Sequence, residues 1–288
     1  MLFLILVLPI LSRAQSPCGS DFEGLDLPIT PPVYAPVDAP PPNYQPLPDF
    51  LPPLPDPTED PSDEPPVTFF GHEIIKEGQS VIFVIDGSGS MFAPANGPYK
   101  DLDGSEVYPT PAGREGGRWV LSGTRFGQAR VELTKAIRAL SPRTKFGVVV
   151  YECNPHAWEI GGRRDGSTTV NLYEATDENK QLAEAWVNNT DNQGYNIQGG
   201  GLTGTPWGLL LAFNSVPTYA DKIVLLTDGG NPNCSFLNSG RWEEQAAAID
   251  NENKHRTPID VFGLSQSAED IKFCQKVAGD SGASYIQL

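Results

Sequence analysis

The stretch Ser80-Val81-Ile82-Phe83-Val84-Ile85-Asp86-Gly87-Ser88-Gly89-Ser90-Met91 decides the fold. Val81 to Ile85 is apolar without alternation, as expected of a strand covered on both faces inside a parallel sheet. The run stops at a carboxylate and two hydroxyls separated by glycines, so polar groups fall at the carboxyl end of the strand. Four further segments are candidates for buried strands: Phe146 to Tyr151, Ile223 to Thr227, Ile259 to Leu264 and Ala283 to Leu288. A weaker one, Thr168 to Tyr173, reads as an edge. Between them lie helical stretches. Arg125 to Leu140 places Ala129, Leu133, Ala136, Ile137 and Leu140 on one face. Asp177 to Asn188, Pro206 to Phe213 (behind Thr205 as N-cap), Glu243 to Lys254 and Ala268 to Ala278 complete the set. Strands alternating with helices predict an α/β chain: a doubly wound, Rossmann-like, mostly parallel central sheet flanked by helices. Ligands of such sheets bind beyond the carboxyl ends of the strands.

Three polar segments fall there. Asp86-Gly87-Ser88-Gly89-Ser90 follows the first buried strand, and Asp228-Gly229-Gly230 follows the strand ending at Thr227. Gly199-Gly200-Gly201-Leu202-Thr203-Gly204-Thr205-Pro206 opens a helix between them. They offer hydroxyls and carboxylates without histidine or thiolate, a hard oxygen set that selects Mg²⁺, Ca²⁺ or Mn²⁺. Ser88, Ser90 and a threonine are neutral donors, with Asp86 and Asp228 behind them as anions. An ion held directly by neutral hydroxyls retains Lewis acidity and seeks an anionic ligand from outside. Each piece alone has a plainer meaning as helix cap, turn or loop polar group; their joint placement at three strand ends is what points to a metal.

These segments resemble the metal-ion-dependent adhesion site (MIDAS) of von Willebrand factor type A domains, over roughly residues 75–288 and in the family's order. The resemblance implies that Ser88, Ser90 and a threonine bind the cation directly, while Asp86 and Asp228 act mostly through water. Thr205 fits the family's Gly-Thr-Pro form and is the preferred threonine; Thr203 has the spacing to Gly208 seen in other members. The implied cofactor is Mg²⁺, with Mn²⁺ or Ca²⁺ as alternatives. The implied partner is a protein that presents an Asp or Glu carboxylate as the last ligand.

The chain departs from the family between Phe92 and Gly123, where a stretch rich in Gly and Pro delays the first helix. A loop this long is uncommon without a role. It is placed to cap the site, to set specificity, or to donate a carboxylate from Asp101, Asp103, Glu106 or Glu115. Asp101-Leu102-Asp103-Gly104-Ser105-Glu106 lacks the full calcium-loop pattern and reads as a solvated acidic turn.

The N-terminus is of another kind. Residues 1–14 combine a short apolar run, Leu2 to Leu11, with small residues at Ser12 and Ala14, the pattern of a cleaved signal peptide. Residues 15–66 form a Pro-rich acidic stalk. Between Leu27 and Pro66 lie 16 of the 28 prolines and seven acids, with no Lys or Arg. Proline removes the amide donor and favours an extended polyproline conformation, about 3.1 Å per residue. Residues 67–288 are then the folded domain, with the insertion at 92–123.

The 288 residues carry a formal net charge of −16, which repels nucleic acid. Four cysteines, Cys18, Cys153, Cys234 and Cys274, allow three ways of forming two disulfides in an exported chain. A Cys153–Cys234 bond would pin two loops at the rim of the site, and Cys274 fits a buried thiol on a helical face. Enzyme motifs fail. Gly199-x-Gly201-x-x-Gly204 follows no buried strand, and His72, His156 and His255 are scattered, with His156 in an apparent loop. The expectation is a non-enzymatic adhesion or protein-binding module, secreted, periplasmic or at a cell surface, and not integral to a membrane once the signal is cleaved. The competing readings are a structural surface protein whose insertion fills the metal site, and a metal-assisted hydrolase or enzyme-associated subunit.

Overall fold

The computed structural model describes residues 66–115, 118–160, 162–164, 168–188, 203–229, 234 and 241–288. The expected signal peptide, almost all of the Pro-rich stretch and the glycines at 199–201 lie outside them. The chain divides into two units, Met1–Asp56 and Pro57–Leu288, and all described residues belong to the second.

The unit opens with an antiparallel hairpin, β1 (Val67–Phe69) and β2 (His72–Ile75), which turns through Phe70 and Gly71 at positive φ. Then come β3 (Ser80–Asp86) and a 3-10 turn at Gly89–Phe92. The insertion folds as two small antiparallel ribbons, β4 (Tyr99–Lys100) with β5 (Glu106–Val107) and β6 (Gly113–Glu115) with β7 (Arg118–Val120). Helix α1 (Arg125–Ala139) is capped by Thr124, whose side chain accepts the Gly127 amide. After it run β8 (Lys145–Tyr151), β9 (Pro155–Glu159), β10 (Gly162–Arg164), β11 (Val170–Asn171) and β12 (Tyr173–Glu174). The remaining elements are α2 (Asp177–Asn188), α3 (Thr205–Phe213), β13 (Ser215–Val216), β14 (Lys222–Thr227), α4 (Trp242–Glu252), β15 (Ile259–Gly263), α5 (Ala268–Asp280) and β16 (Tyr285–Gln287).

The central sheet has the order β10-β9-β8-β3-β14-β15-β16, with β12 also paired to β8. The five strands from β8 to β16 are parallel, whereas β9, β10 and β12 add an antiparallel edge. All seven residues of β3 are buried, because both faces are covered. Phe83, Ile85, Val148 and Leu226 face α1, α2 and the β1–β2 hairpin, whose Phe69 packs edge-on against Phe262. Ile82, Val84, Val149 and Leu225 face the side of α3, α4 and α5. The expected doubly wound α/β class is therefore what the chain forms. Strand order reverses at β3: the chain leaves it for β8 on one side and returns to β14 on the other. The crevice beyond β3 and β14 is thus the switch point of the sheet.

Three local expectations change. Thr168 to Tyr173 is not one edge strand: β11 pairs with β13 in a separate two-stranded ribbon, and β12 joins β8. Pro155 and His156 are not loop but the start of β9, where His156 pairs with Val150. Thr205 is the first residue of α3, and Gly204 holds the N-cap position.

Candidate metal centre

Asp86 ends β3 and Asp228 follows β14, so the adjacent parallel strands deliver both carboxylates to the switch point. Asp86 is fully buried. Its Oδ1 accepts the Ser88 amide at 2.9 Å and its Oδ2 accepts the Thr227 hydroxyl at 2.9 Å. The first bond closes a tight turn that aims the Ser88 side chain back over the strand end. Gly87 is needed in that turn: its amide donates to the Tyr151 carbonyl at 2.7 Å, and a Cβ would stand 2.9 Å from Val150 Cγ1.

The hydroxyls form a string. Thr203 Oγ1 donates to Ser88 Oγ at 3.2 Å, Ser88 and Ser90 Oγ are 3.0 Å apart, and Ser90 Oγ donates to Asp228 Oδ1 at 2.7 Å. One proton per hydroxyl suffices if each donates toward Asp228. Asp228 Oδ2 accepts Arg125 Nη1 at 2.9 Å, and the Asp228 side chain is wholly buried. Ser88 and Thr203 are buried, whereas Ser90 is exposed, so one end of the string opens to solvent.

The structure separates the two candidate threonines, Thr205 and Thr203. Thr205 is fully buried, and its hydroxyl lies 3.1 Å from the Tyr151 OH. The threonine that reaches the serines is Thr203, in the segment before the helix. A disulfide between Cys153 and Cys234, with Cα atoms 5.4 Å apart, helps hold it there. The Cys234 amide donates to the Thr203 carbonyl at 3.1 Å, and a Cβ on Gly204 would overlap the Glu152 carbonyl oxygen. The disulfide, the Gly204 contact and Thr203 thus form one buttress. Cys274 is a buried free thiol, and burial pushes its pKa up to about 12.

The residues fit a hard divalent cation. Octahedral Mg²⁺ with oxygens at 2.0–2.1 Å sets neighbouring ligands about 2.9 Å apart; the Ser88–Ser90 separation is 3.0 Å and the Thr203–Ser88 separation 3.2 Å. Among the described residues no three His, Cys, Asp or Glu side chains gather in a metal-binding group. Electrostatics point the same way. Burial, then the neighbouring Asp228, push the Asp86 carboxyl up to about 7 against the hydrogen bonds from Ser88 and Thr227. Arg125 pairs with Asp228, while Asp86 is held by hydrogen bonds from Ser88 and Thr227, an arrangement that leaves room for added positive charge.

The insertion packs against α1 and the segment after β15. Ala95 and Tyr99 pack with Val131 of α1, Lys135 Nζ donates to the Lys100 carbonyl, and Asn96 Nδ2 donates to the Leu264 carbonyl at 3.1 Å. Asp101 and Asp103 accept the amides of Leu102 and Ser105, and Glu106 accepts the Tyr108 OH. Glu115 stands exposed on β6. Among the described residues none of these carboxylates bonds to the serine string.

Arg125 and Thr227 were not foreseen as members of the site. A threonine closing the apolar run Ile223 to Leu226 was the available signal for one. Arg125 carried none, because only the fold brings the start of α1 to the end of β14.

No family model matches the chain, and no curated protein does. Similar solved structures include a von Willebrand factor type A protein from Catenulispora acidiphila, 17% identical, with TM-score 0.48 over 74% of this chain and 39% of that one. Another is the PilB minor pilin from Streptococcus sanguinis, 15% identical, with TM-score 0.48 over 76% of this chain and 59% of that one. A third is the conserved hypothetical protein BatB from Bacteroides thetaiotaomicron, 15% identical, with TM-score 0.44 over 73% of this chain and 90% of that one.

Proposed function

We propose that the chain is an exported, non-enzymatic protein-binding module that grips a carboxylate of its partner through a divalent cation, Mg²⁺ or alternatively Mn²⁺ or Ca²⁺. The observation that carries this reading is the run Thr203–Ser88–Ser90, three hydroxyl oxygens at ligand-to-ligand spacing with Asp86 and Asp228 beside them. Ser88, Ser90 and Thr203 would hold the ion directly. When bound, the cation supplies a Lewis-acidic position that takes an anionic oxygen from outside. Asp86 orients Ser88 through its amide and adds negative charge from a buried position. Asp228 orients Ser90. The exposure of Ser90 leaves the ion-facing end accessible.

The insertion supports a binding role over a self-filled site, since Asp101, Asp103 and Glu106 bond to neighbours in their own segment. The test is a Mg²⁺ and Mn²⁺ titration of the full chain by calorimetry, wild type beside Ser88→Ala/Ser90→Ala. It is followed by capture of Asp- or Glu-bearing peptides and of their Asn or Gln counterparts, with and without EDTA. Saturable cation binding lost in the double variant, and cation-dependent capture of the acidic peptides alone, are expected. Absence of cation binding by the wild type would overturn the reading.

A further inference from the structure

The feature of the site that the serine and threonine string does not explain is Arg125. Its Nη1 lies 2.9 Å from Asp228 Oδ2, with the arginine side chain 23% exposed and the aspartate side chain 0%. Among the described residues this monodentate bond is the guanidinium's one polar tie to the fold, and its Nε is buried without a partner. An arginine frequently engages a carboxylate through two N–H donors at once. Arg138 does so on the surface, donating to Glu184 Oε2 from both Nε and Nη2. Arg125 has instead the form of a counter-ion, a charge held against one carboxylate oxygen. The other oxygen of that carboxylate receives Ser90, at the end of the hydroxyl string.

We propose that Arg125 is the resident counter-charge of the cation site, a residue that keeps Asp228 in place before a cation arrives and then sets how tightly the cation is held. The inference rests on the cation reading of the hydroxyl string. Asp228 sits between Ser90 and Arg125 and so can spend its charge in either direction. Balanced by Arg125, it is positioned without an ion, and Ser90 with it. A divalent ion among the hydroxyls then meets a positive charge one carboxylate away. The like-charge repulsion across so short a distance, shielded by little water on the Asp228 side, weakens cation binding. The arrangement trades affinity for a preformed site. It also favours occupancy when an anionic ligand arrives with the ion, because that ligand offsets the guanidinium as well as the cation.

The discriminating substitutions are Arg125→Gln, which removes the charge, and Arg125→Lys, which keeps it. Mn²⁺ and Mg²⁺ are titrated calorimetrically into the full chain, with Ser88→Ala/Ser90→Ala as the site control and circular dichroism as the fold control. Arg125→Gln is expected to tighten Mn²⁺ binding about tenfold or more, while Arg125→Lys stays within about threefold of wild type. Should Arg125→Gln fail to fold, Arg125→Met retains the aliphatic stem and carries the same expectation. Equal or weaker binding by a folded, uncharged variant would overturn the role assigned to Arg125 while leaving the cation site standing. No saturable binding by wild type and by every Arg125 variant alike would overturn the cation site itself, and the role of Arg125 with it.

Discussion

Two loops of this chain are written in nearly the same residues and behave in opposite ways. Asp86-Gly87-Ser88-Gly89-Ser90 and Asp101-Leu102-Asp103-Gly104-Ser105-Glu106 both mix acids, glycines and serines. In the second, Asp103 accepts the Ser105 amide, and bonding from Ser105 holds its carboxyl below the usual range in full contact with water. In the first, Asp86 also accepts a serine amide two residues on, yet burial and Asp228 drive its carboxyl up to about 7. The difference lies in what each loop is attached to. The first leaves a fully buried strand at the switch point of the sheet, opposite another strand that ends in Asp228. The second joins β4 to β5, two short strands of the insertion. A local turn satisfies its own polar groups; a turn placed by a parallel sheet holds groups that only a neighbouring segment or an added ion can satisfy.

The sharpest way to break this comparison is to remove hydroxyls from one loop and carboxylates from the other. Ser88→Ala/Ser90→Ala is expected to lower Mg²⁺ affinity by on the order of 100-fold or more, since even residues behind the ligands are worth 10–100-fold. Asp101→Asn/Asp103→Asn should leave the isotherm within about twofold. Calorimetric titration of both double variants against wild type is the measurement. If the acidic turn of the insertion affects affinity as strongly as the serines do, the two loops are not functionally distinct.

The buttress behind Thr203 comes next. The Cys153–Cys234 bond closes a long segment, 81 residues apart in sequence. Its loss in Cys153→Ser/Cys234→Ser is expected to cost about 2–4 kcal/mol of unfolding free energy, read from urea midpoints. Thr203 is tied to the same loop through the Cys234 amide. The variant should therefore also weaken cation binding, at temperatures where it remains folded. A stability loss with unchanged affinity would show that Thr203 is held by Gly204 and α3 alone.

How much of this was legible without coordinates follows from the same contrast. The apolar runs of β3, β8 and β14 are a consequence of burial on two faces, so they marked both the strands and the α/β class. Asp86, Ser88, Ser90 and Asp228 were legible because strand ends fix where they fall. Thr203 and Thr205 were not separable, for both precede or open α3. Only the fold distinguishes them, setting the Thr205 hydroxyl against the Tyr151 OH and that of Thr203 against Ser88. The β1–β2 hairpin was missed because its core contribution rests on Val67, Phe69, Ile74 and Ile75, too few residues to show a period. Arg125 was invisible for a different reason: its partner is 103 positions away, and nothing in the sequence around it signals a site.

The two acidic loops also carry opposite pH signatures in chelator-treated protein. Burial, then Asp228, push the folded Asp86 carboxyl from the ordinary 3.8 up to about 7. Between those values the folded state holds a proton that the unfolded state has released. The contribution of this group to stability therefore falls as pH rises from about 4 to about 7 and stays low above it. Urea midpoints of wild type minus those of Asp86→Asn should show this decline, and saturating Mg²⁺ should flatten it by favouring the ionised carboxylate. A difference that does not change with pH would mean that Asp86 ionises as freely as it does in the unfolded chain.

Asp103 is the smallest effect and has the reverse sign. Its folded pKa lies below the unfolded 3.8, so its contribution is complete above that value and is lost only as pH falls through the folded one. The side chain is open to water, where screening leaves such bonds with little net worth. Asp103→Asn should leave the urea midpoint at pH 7 within experimental error. NMR titration of the Asp103 carboxyl should show ionisation displaced to lower pH, and Ser105→Ala should return it toward the ordinary value. A raised value would mean that the insertion buries this turn against something, and the contrast with the strand-end loop would then rest on the partner groups alone.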